Sequence, residues 1–337
     1  MTTGKKIFSL RYKLVLLFGA LILLAGIAMG ILAIIIARKA VIEKIEDHLT
    51  DKATDIAEVV DGRATSFIQF VKGLTRMPFL RDGSLSLQEK AQMLEPEAER
   101  NALIDYFGIC DLEGNRYGAR RALTSVNDRI WFQAAVKGKN YITEPFLSKI
   151  TDSMQILFAV PIYDNTNAII GVLSLAAPAK LLSQEISDII VGKTGECYIL
   201  GLTGTAIAHK NFEIVANQQN AIEMAKKDSS LAALAAFTKH ALDTDESEVD
   251  YYEYNGINYI ASYATVPVTG WTVIIKAPVK EFMGTVYTLR NAIRLLGIIV
   301  FVVSIVIVYI IAYKMIHPIQ AVVAVLRDIA HGEGDLT

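Results

Sequence analysis

Cysteine is nearly absent from this chain: Cys110 and Cys197 are the two among 337 residues. That excludes a disulfide-stapled scaffold. With no CxxC and no Cys/His spacing it also excludes a structural zinc site. Both cysteines sit in apolar, strand-like stretches, which fits two buried free thiols, with one disulfide in an oxidising compartment as the alternative. Histidine is scarce, five residues, and His209 and His240 stand isolated. No glycine-rich phosphate loop, nucleophile elbow or zinc-hydrolase signature occurs, so these residues predict no catalysis, no metal and no cofactor. The formal charge is −2, which leaves nucleic acid without an electrostatic footprint.

Long apolar runs are what the chain does have. One extends from Leu14 to Ala37 without a charge, and a second from Leu295 to Tyr313 between Arg294 and Lys314. Each suffices to cross a hydrocarbon core of about 30 Å at a rise of about 1.5 Å per residue. The first is too long for a signal-peptide core and is followed by Arg38 and Lys39 rather than a small-residue cleavage site, so it reads as an uncleaved anchor. Lys5, Lys6, Arg11 and Lys13 precede it and place residues 1–13 in the cytoplasm. Residues 38–294 then lie outside the cytoplasm, in a two-pass protein of the inner (plasma) membrane, and residues 314–337 are back inside.

Between the runs the pattern changes twice. Val41, Ile45, Leu49, Ile56, Val59, Val60, Phe67, Phe70, Val71 and Leu74 recur at three- and four-residue steps, so the anchor continues as one long amphipathic helix over 38–77. A polar connector with a short helix is expected from Pro78 to Pro96. Strands and turns follow: Ala102–Cys110, a turn at Asp111–Asn115, and a pair at Gln155–Ile162 and Ala168–Ala176 with Asp164 as a turn residue. A helical link spans Leu181–Val191. The second half repeats the order with Glu196–Leu200, a turn at Thr203–Gly204, and strands Tyr259–Val266 and Trp271–Ala277. Ala177-Pro178-Ala179-Lys180 and Ala277-Pro278-Val279-Lys280 close the halves alike, which suggests two related modules, about 78–180 and 190–282. The cluster Asp243–Glu248 reads as a solvated loop; no glycine-bearing loop frames it for calcium. No Gly/Ser-rich stretch at either membrane junction would absorb motion. After the second run, His317-Pro318 suits the first turn of a new helix, along which Ile316, Ile319, Val323, Leu326 and Ala330 keep heptad spacing. Such a helix is marginal alone and calls for partner helices.

These features carry a family resemblance. The stretch Met315–Thr337, with His-Pro-Ile and the closing Gly-Glu-Gly-Asp-Leu-Thr, resembles the first helix and connector of a HAMP domain of bacterial methyl-accepting chemotaxis receptors. The central segment resembles a double Cache sensor. The match is strongest at Asn127-Asp128-Arg129-Ile130-Trp131-Phe132-Gln133, Thr143-Glu144-Pro145-Phe146-Leu147-Ser148-Lys149 and Ala159-Val160-Pro161-Ile162-Tyr163-Asp164. The resemblance implies an α+β fold: two tandem PAS-like modules with antiparallel sheets on a long N-terminal helix, flanked by two transmembrane helices and a HAMP helix. It further implies a homodimer, a small-molecule ligand in the membrane-distal first module, and a cytoplasmic kinase and adaptor as partners. Receptor histidine kinases and diguanylate cyclases share such sensors and form the alternative class.

The same resemblance directs attention to Arg129, Trp131 and Phe132. Amino-acid-binding members hold the ligand carboxylate with an Arg-x-Trp-Tyr stretch, which Arg129-x-Trp131-Phe132 matches except for the last hydroxyl. An arginine fork suits a carboxylate, and the aromatics can wall a pocket. Those members also use a tyrosine and two aspartates, here Phe146, Ser148 and Ala176 by spacing. Without the carboxylates an ammonium group would be buried unpaired, at a cost of several kcal/mol. A small carboxylate or other polar anion is therefore expected, held by Arg129 with Ser148 and Lys149, and with Tyr106 facing the pocket. The competing interpretation makes Arg129 a surface partner of Asp128 or Asp152, and Trp131 and Phe132 core.

Overall fold

The computed structural model describes residues 10–119, 121–244 and 246–330. The chain divides into two compact units, Ile45–Glu281 on one hand, and Met1–Lys44 with Phe282–Thr337 on the other. Helix α1 (Leu10–Thr75) supplies residues to both, without a break.

In the terminal unit α1 is joined by α10 (Gly284–Ala330). Both helices are long and apolar enough to cross a membrane. A Cβ placed at Gly19 would lie 3.0 Å from Ile305, and one at Gly30 would lie 3.4 Å from Ile293. Rising residue numbers on one helix thus meet falling numbers on the other: the pair is antiparallel, and glycine lets it close up. Away from that seam Leu24, Met29, Leu295 and Ile298 are exposed, an apolar surface suited to lipid. Helix α10 runs through Pro318, where the sequence predicted a new start. Proline removes one ladder bond, and helical hydrogen bonding on both sides carries the axis past it. The predicted connector Gly332–Thr337 lies outside the described residues, as do Lys5 and Lys6.

The Ile45–Glu281 unit holds two modules. Helix α2 (Pro78–Arg81) and helix α3 (Leu87–Arg100) replace the predicted connector. A capping box starts α3: the Ser86 hydroxyl accepts from the Glu89 N–H while the Glu89 carboxylate accepts from the Ser86 N–H. The first module then runs β1 (Tyr106–Cys110), β2 (Asn115–Gly118), β3 (Arg121–Ser125), α4 (Ile130–Ala135), β4 (Tyr141–Ile142), β5 (Phe146–Leu147), β6 (Met154–Tyr163) and β7 (Ile169–Pro178). Its antiparallel sheet has the order β3-β2-β1-β7-β6-β4, with β5 also on β6. Asp111 makes the β1–β2 turn by accepting the Asn115 N–H at 2.7 Å, and Asp164 makes the β6–β7 turn by accepting from Thr166 and Ala168.

Strand alternation sorts this sheet into two faces. Phe107, Ile109, Phe158, Leu173 and Leu175 form one core with Ile68, Val71 and Leu74 of α1 and Leu94 of α3. Tyr106, Gly108, Cys110, Gln155, Ser174 and Ala176 fall on the other face.

Helix α5 (Lys180–Ser187) leads to the second module: β8 (Glu196–Leu200), β9 (Ala206–His209), α6 (Phe212–Ala216), α7 (Ala221–Ala225), a 3₁₀ turn at Ser229–Leu231, α8 (Ala232–Asp243), β10 (Glu248–Tyr254), β11 (Ile257–Thr265), β12 (Thr272–Pro278) and α9 (Val279–Phe282). The sheet order is β10-β11-β12-β8-β9. Phe237 and Ala241 of α8 pack on Tyr198, Tyr252, Tyr263 and Ile274. Residues Glu248–Tyr254, of which only Glu248 falls in the loop expected at Asp243–Glu248, form an edge strand whose alternate side chains face solvent. Three bonds fasten α1 to this module: Glu46 accepts from the Tyr251 hydroxyl (2.6 Å), Asp61 accepts from the Val268 N–H (2.7 Å), and the Thr54 and Ser247 hydroxyls meet at 3.1 Å.

Candidate functional site

The polar face of the first sheet is shallow at its centre because Gly108, Ser174 and Ala159 sit side by side across β1, β7 and β6, with Ala176 one row on. Arg116 fills that floor. It lies opposite Cys110 in the β1–β2 register, and its guanidinium folds back over Gly108, where an added Cβ would stand 2.3 Å from it. The absence of a side chain at Gly108 is what gives the cation room.

Arg116 is 7% exposed. Its Nε donates to the Ser174 hydroxyl at a long 3.4 Å, the guanidinium sits 5.0 Å over the Tyr106 ring, and Nη2 has no hydrogen-bond partner. Among the described residues no carboxylate forms an ion pair with it. A buried cation with an idle donor is costly unless something arrives to pair with it.

A second polar chain runs beside it. Gln155, fully buried, donates to Asp105 at 2.7 Å and accepts from the Tyr106 hydroxyl at 2.8 Å. The Tyr106 and Ser148 hydroxyls are 3.3 Å apart, and Ser148 accepts the Ile150 N–H at 3.2 Å. Aromatic walls complete the face: Trp131 and Phe132 of α4, 6.1 Å apart and edge-on, are buried with Cys110, Val126, Leu157 and Val172, and Phe146 packs against them. Burial pushes the Cys110 thiol up to about 12, so it is a neutral wall group.

The structure thus brings together Tyr106, Ser148, Trp131, Phe132 and Phe146. It does not bring in Arg129 or Lys149. Arg129 is the N-cap residue of α4, its side chain 55% exposed and 3.6 Å from Asp128, and Lys149 is exposed. Sequence reasoning missed Arg116, Gln155 and Ser174. One signal was available: a glycine inside the apolar strand Tyr-Phe-Gly-Ile-Cys marks a close approach by another group.

A long helix bearing two antiparallel-sheet modules, one holding a buried cation without an ion-pair partner among the described residues, defines a tandem-module α+β domain. Residues 36–286 match the Cache domain, and the chain belongs to that family. It is 25% identical over 211 residues to methyl-accepting chemotaxis protein McpB of Bacillus subtilis (strain 168), an alignment covering 61% of this chain and 28% of that protein. The chain therefore spans well under a third of that relative's length. Among solved structures, the ligand-binding domain of the Pseudomonas aeruginosa PAO1 amino acid chemoreceptor PctB in complex with L-Arg superposes with a TM-score of 0.55 at 17% identity, covering 72% of this chain and 98% of that one. The extracellular domain of the putative histidine kinase mmHK1S-Z3 superposes with a TM-score of 0.55 at 10% identity, covering 72% and 97%. At these identities the superpositions establish a shared fold.

Proposed function

We propose that this chain is the sensing part of a two-pass receptor of the inner (plasma) membrane, and that the first module binds a small carboxylate from outside the cytoplasm. One observation carries the ligand class: Arg116 is buried on the aromatic-walled face with Nη2 unsatisfied and, among the described residues, no carboxylate in an ion pair with it. A ligand carboxylate supplies the missing charge and takes both the Nη2 donor and the fork geometry. Ser148 and Tyr106 offer hydroxyls to a second polar group, while Trp131, Phe132 and Phe146 enclose the carbon frame. Arg129, exposed beside Asp128 at the N-cap of α4, is left outside this binding set.

The likeness to McpB supports a chemoreceptor. In this reading the receptor works as a homodimer and passes its signal through α10 and a HAMP-type helix to a cytoplasmic kinase and adaptor. The equal superposition on a histidine-kinase sensor supports a receptor kinase as the second reading, with the same input. The ligand can bias the output only by its differential affinity for the two packings of the sensor. Calorimetry on the full chain in nanodiscs tests the input: propionate, lactate and malate against propionamide and lactamide. Binding by at least one acid, lost in its amide, is expected. Equal binding of acids and amides would sink the proposal.

A further inference from the structure

We propose that the second module holds a ligand site of its own, for a net-neutral small molecule with an apolar body and one head group that both donates and accepts hydrogen bonds. Its sheet and its three helices line an open cleft of about 260 Å³. The sheet supplies a polar end. Glu196 and Lys276 are opposite one another in the β8–β12 register, and His209 faces Tyr198 on β9. The helices supply an apolar end, with Ile214, Met224, Leu231 and Leu234. That is the composition of a small-molecule pocket: mostly apolar, with a few convergent polar groups.

The polar end carries no net charge. Lys276 Nζ lies 2.9 Å from Glu196 Oε1, and His209 Nε2 lies 3.9 Å from Glu196 Oε2. The His209 Nδ1 accepts the Asn211 N–H at 2.9 Å, which leaves that nitrogen unprotonated and the ring neutral. One anion, one cation and a neutral imidazole sum to zero. An anionic or cationic guest would be desolvated there without a counter-charge. A primary amide fits: its carbonyl accepts from Lys276 and its N–H donates to Glu196.

The cation is held in place for this. Lys276 Nζ sits 5.5 Å from the Tyr198 ring and 5.2 Å from the Tyr259 ring, so two aromatic faces fix it while one donor serves Glu196. None of these groups belongs to the Arg116 face, and the site is independent of that reading.

The test uses the full chain in nanodiscs with ¹³C-methyl methionine, where Met224 reports from the cleft. Three isosteres are titrated: isovaleramide, isovalerate and isopentylamine. Isovaleramide is expected to move the Met224 resonance saturably, at least tenfold more tightly than either charged probe. Lys276→Met should turn the preference to isopentylamine, and Glu196→Gln should turn it to isovalerate. Ala221→Phe, at a half-buried lining position, should abolish the shift while leaving the other methionine signals in place. Arg116→Met should leave it unchanged. The site is refuted by no saturable shift, by equal response to all three probes, or by loss of the shift in Arg116→Met.

Discussion

Replacing Arg116 with methionine should move the empty and the ligand-bound protein in opposite directions. Methionine keeps most of the stem and removes the charge. In the empty protein the guanidinium has one long hydrogen bond, one ring contact and an idle Nη2. The ring contact offers about 1 kcal/mol, and the bond to Ser174 no more than that. Against these stands the desolvation of a cation that is 7% exposed, a penalty of several kcal/mol. The balance predicts that Arg116→Met stabilises the empty protein by about 1–2 kcal/mol, a rise of roughly 2–6 °C in Tm for a unit of this size. With carboxylate bound, two charge-assisted hydrogen bonds disappear, together worth about 3 kcal/mol or more, which is roughly 150-fold in Kd. Arg116→Lys keeps the charge without the fork and should lose about tenfold. Thermal melts of the full chain with and without saturating acid, alongside calorimetry, give both numbers. A several-degree fall in the Tm of the empty protein with unchanged Kd would show the guanidinium to be a structural strut.

Three further outcomes follow from local geometry. Arg129→Ala should leave stability within about 0.5 kcal/mol, because an exposed pair at 3.6 Å is worth little, and should weaken acid binding by no more than about tenfold; a loss matching that of Arg116→Met would make Arg129 the anchor. Gly201→Ala would place a methyl 2.3 Å from the Glu144 carboxylate, which accepts the Leu202 N–H at 2.7 Å between the two modules. Evicting it should cost about 1 kcal/mol, and in a Glu144→Ala background the same substitution should be nearly neutral, as a double-mutant cycle by thermal melts would read. Burial holds the His209 pKa below its usual 6.5, with Glu196 only partly opposing. The unfolded chain therefore takes up a proton first as the pH falls, so the second module is fully stable above about pH 6.5 and loses stability from there down to the folded pKa. His209→Gln should flatten melting profiles taken between pH 7 and 5.

Much of the fold was legible because it rests on periodicity. The apolar spacing along α1 named Leu49, Ile56, Val60, Val71 and Leu74, all buried, although it also named Val59, which is 56% exposed. The long strands β6, β7, β11 and β12 were readable from their lengths and from the turns between them, and Pro178 and Pro278 do end matching strands. Strand β10 was not legible: the loop expected over Asp243–Glu248 takes in its first residue, and an edge strand carrying Glu248, Asp250 and Glu253 among its tyrosines lacks a clean apolar alternation. Residues 102–105 belong to no strand, because β1 finds its neighbour β7 only from Tyr106. The site was half legible for a similar reason. Trp131, Phe132, Phe146 and Ser148 lie in contiguous stretches that a motif can mark. Arg116 becomes a floor residue only through register, since the Cys110–Arg116 pairing and the bare Gly108 two residues along bring its guanidinium over the sheet.

What the unit Ile45–Glu281 makes of a bound ligand follows from how its parts are fastened. The core of the first module is built on Ile68, Val71 and Leu74 of α1, while Glu46, Thr54 and Asp61 of the same helix are bonded to the second module. Glu144, in the loop between β4 and β5, reaches the Gly201–Leu202 turn directly, and Ser148 and Phe146 lie only two to four residues further along. Glu281 closes the second module by accepting from the Lys193 and Thr194 N–H groups and the Thr194 hydroxyl. Burial alone would raise its pKa, and these bonds more than offset that, so it stays ionised below the usual carboxylate range. A rearrangement around Ser148 can leave the first module through α1, through Leu181, Leu182 and Phe212, which pack on its core, and through a single charged contact at Glu144. The helix resists bending over its whole length, whereas the Glu144 contact is one hydrogen bond, worth about 1 kcal/mol, that can open and close. Coupling between the two sites, measured as the change in isovaleramide affinity on adding a saturating acid, should then shrink in Glu144→Ala and persist in Glu46→Ala. The reverse pattern would assign the coupling to α1.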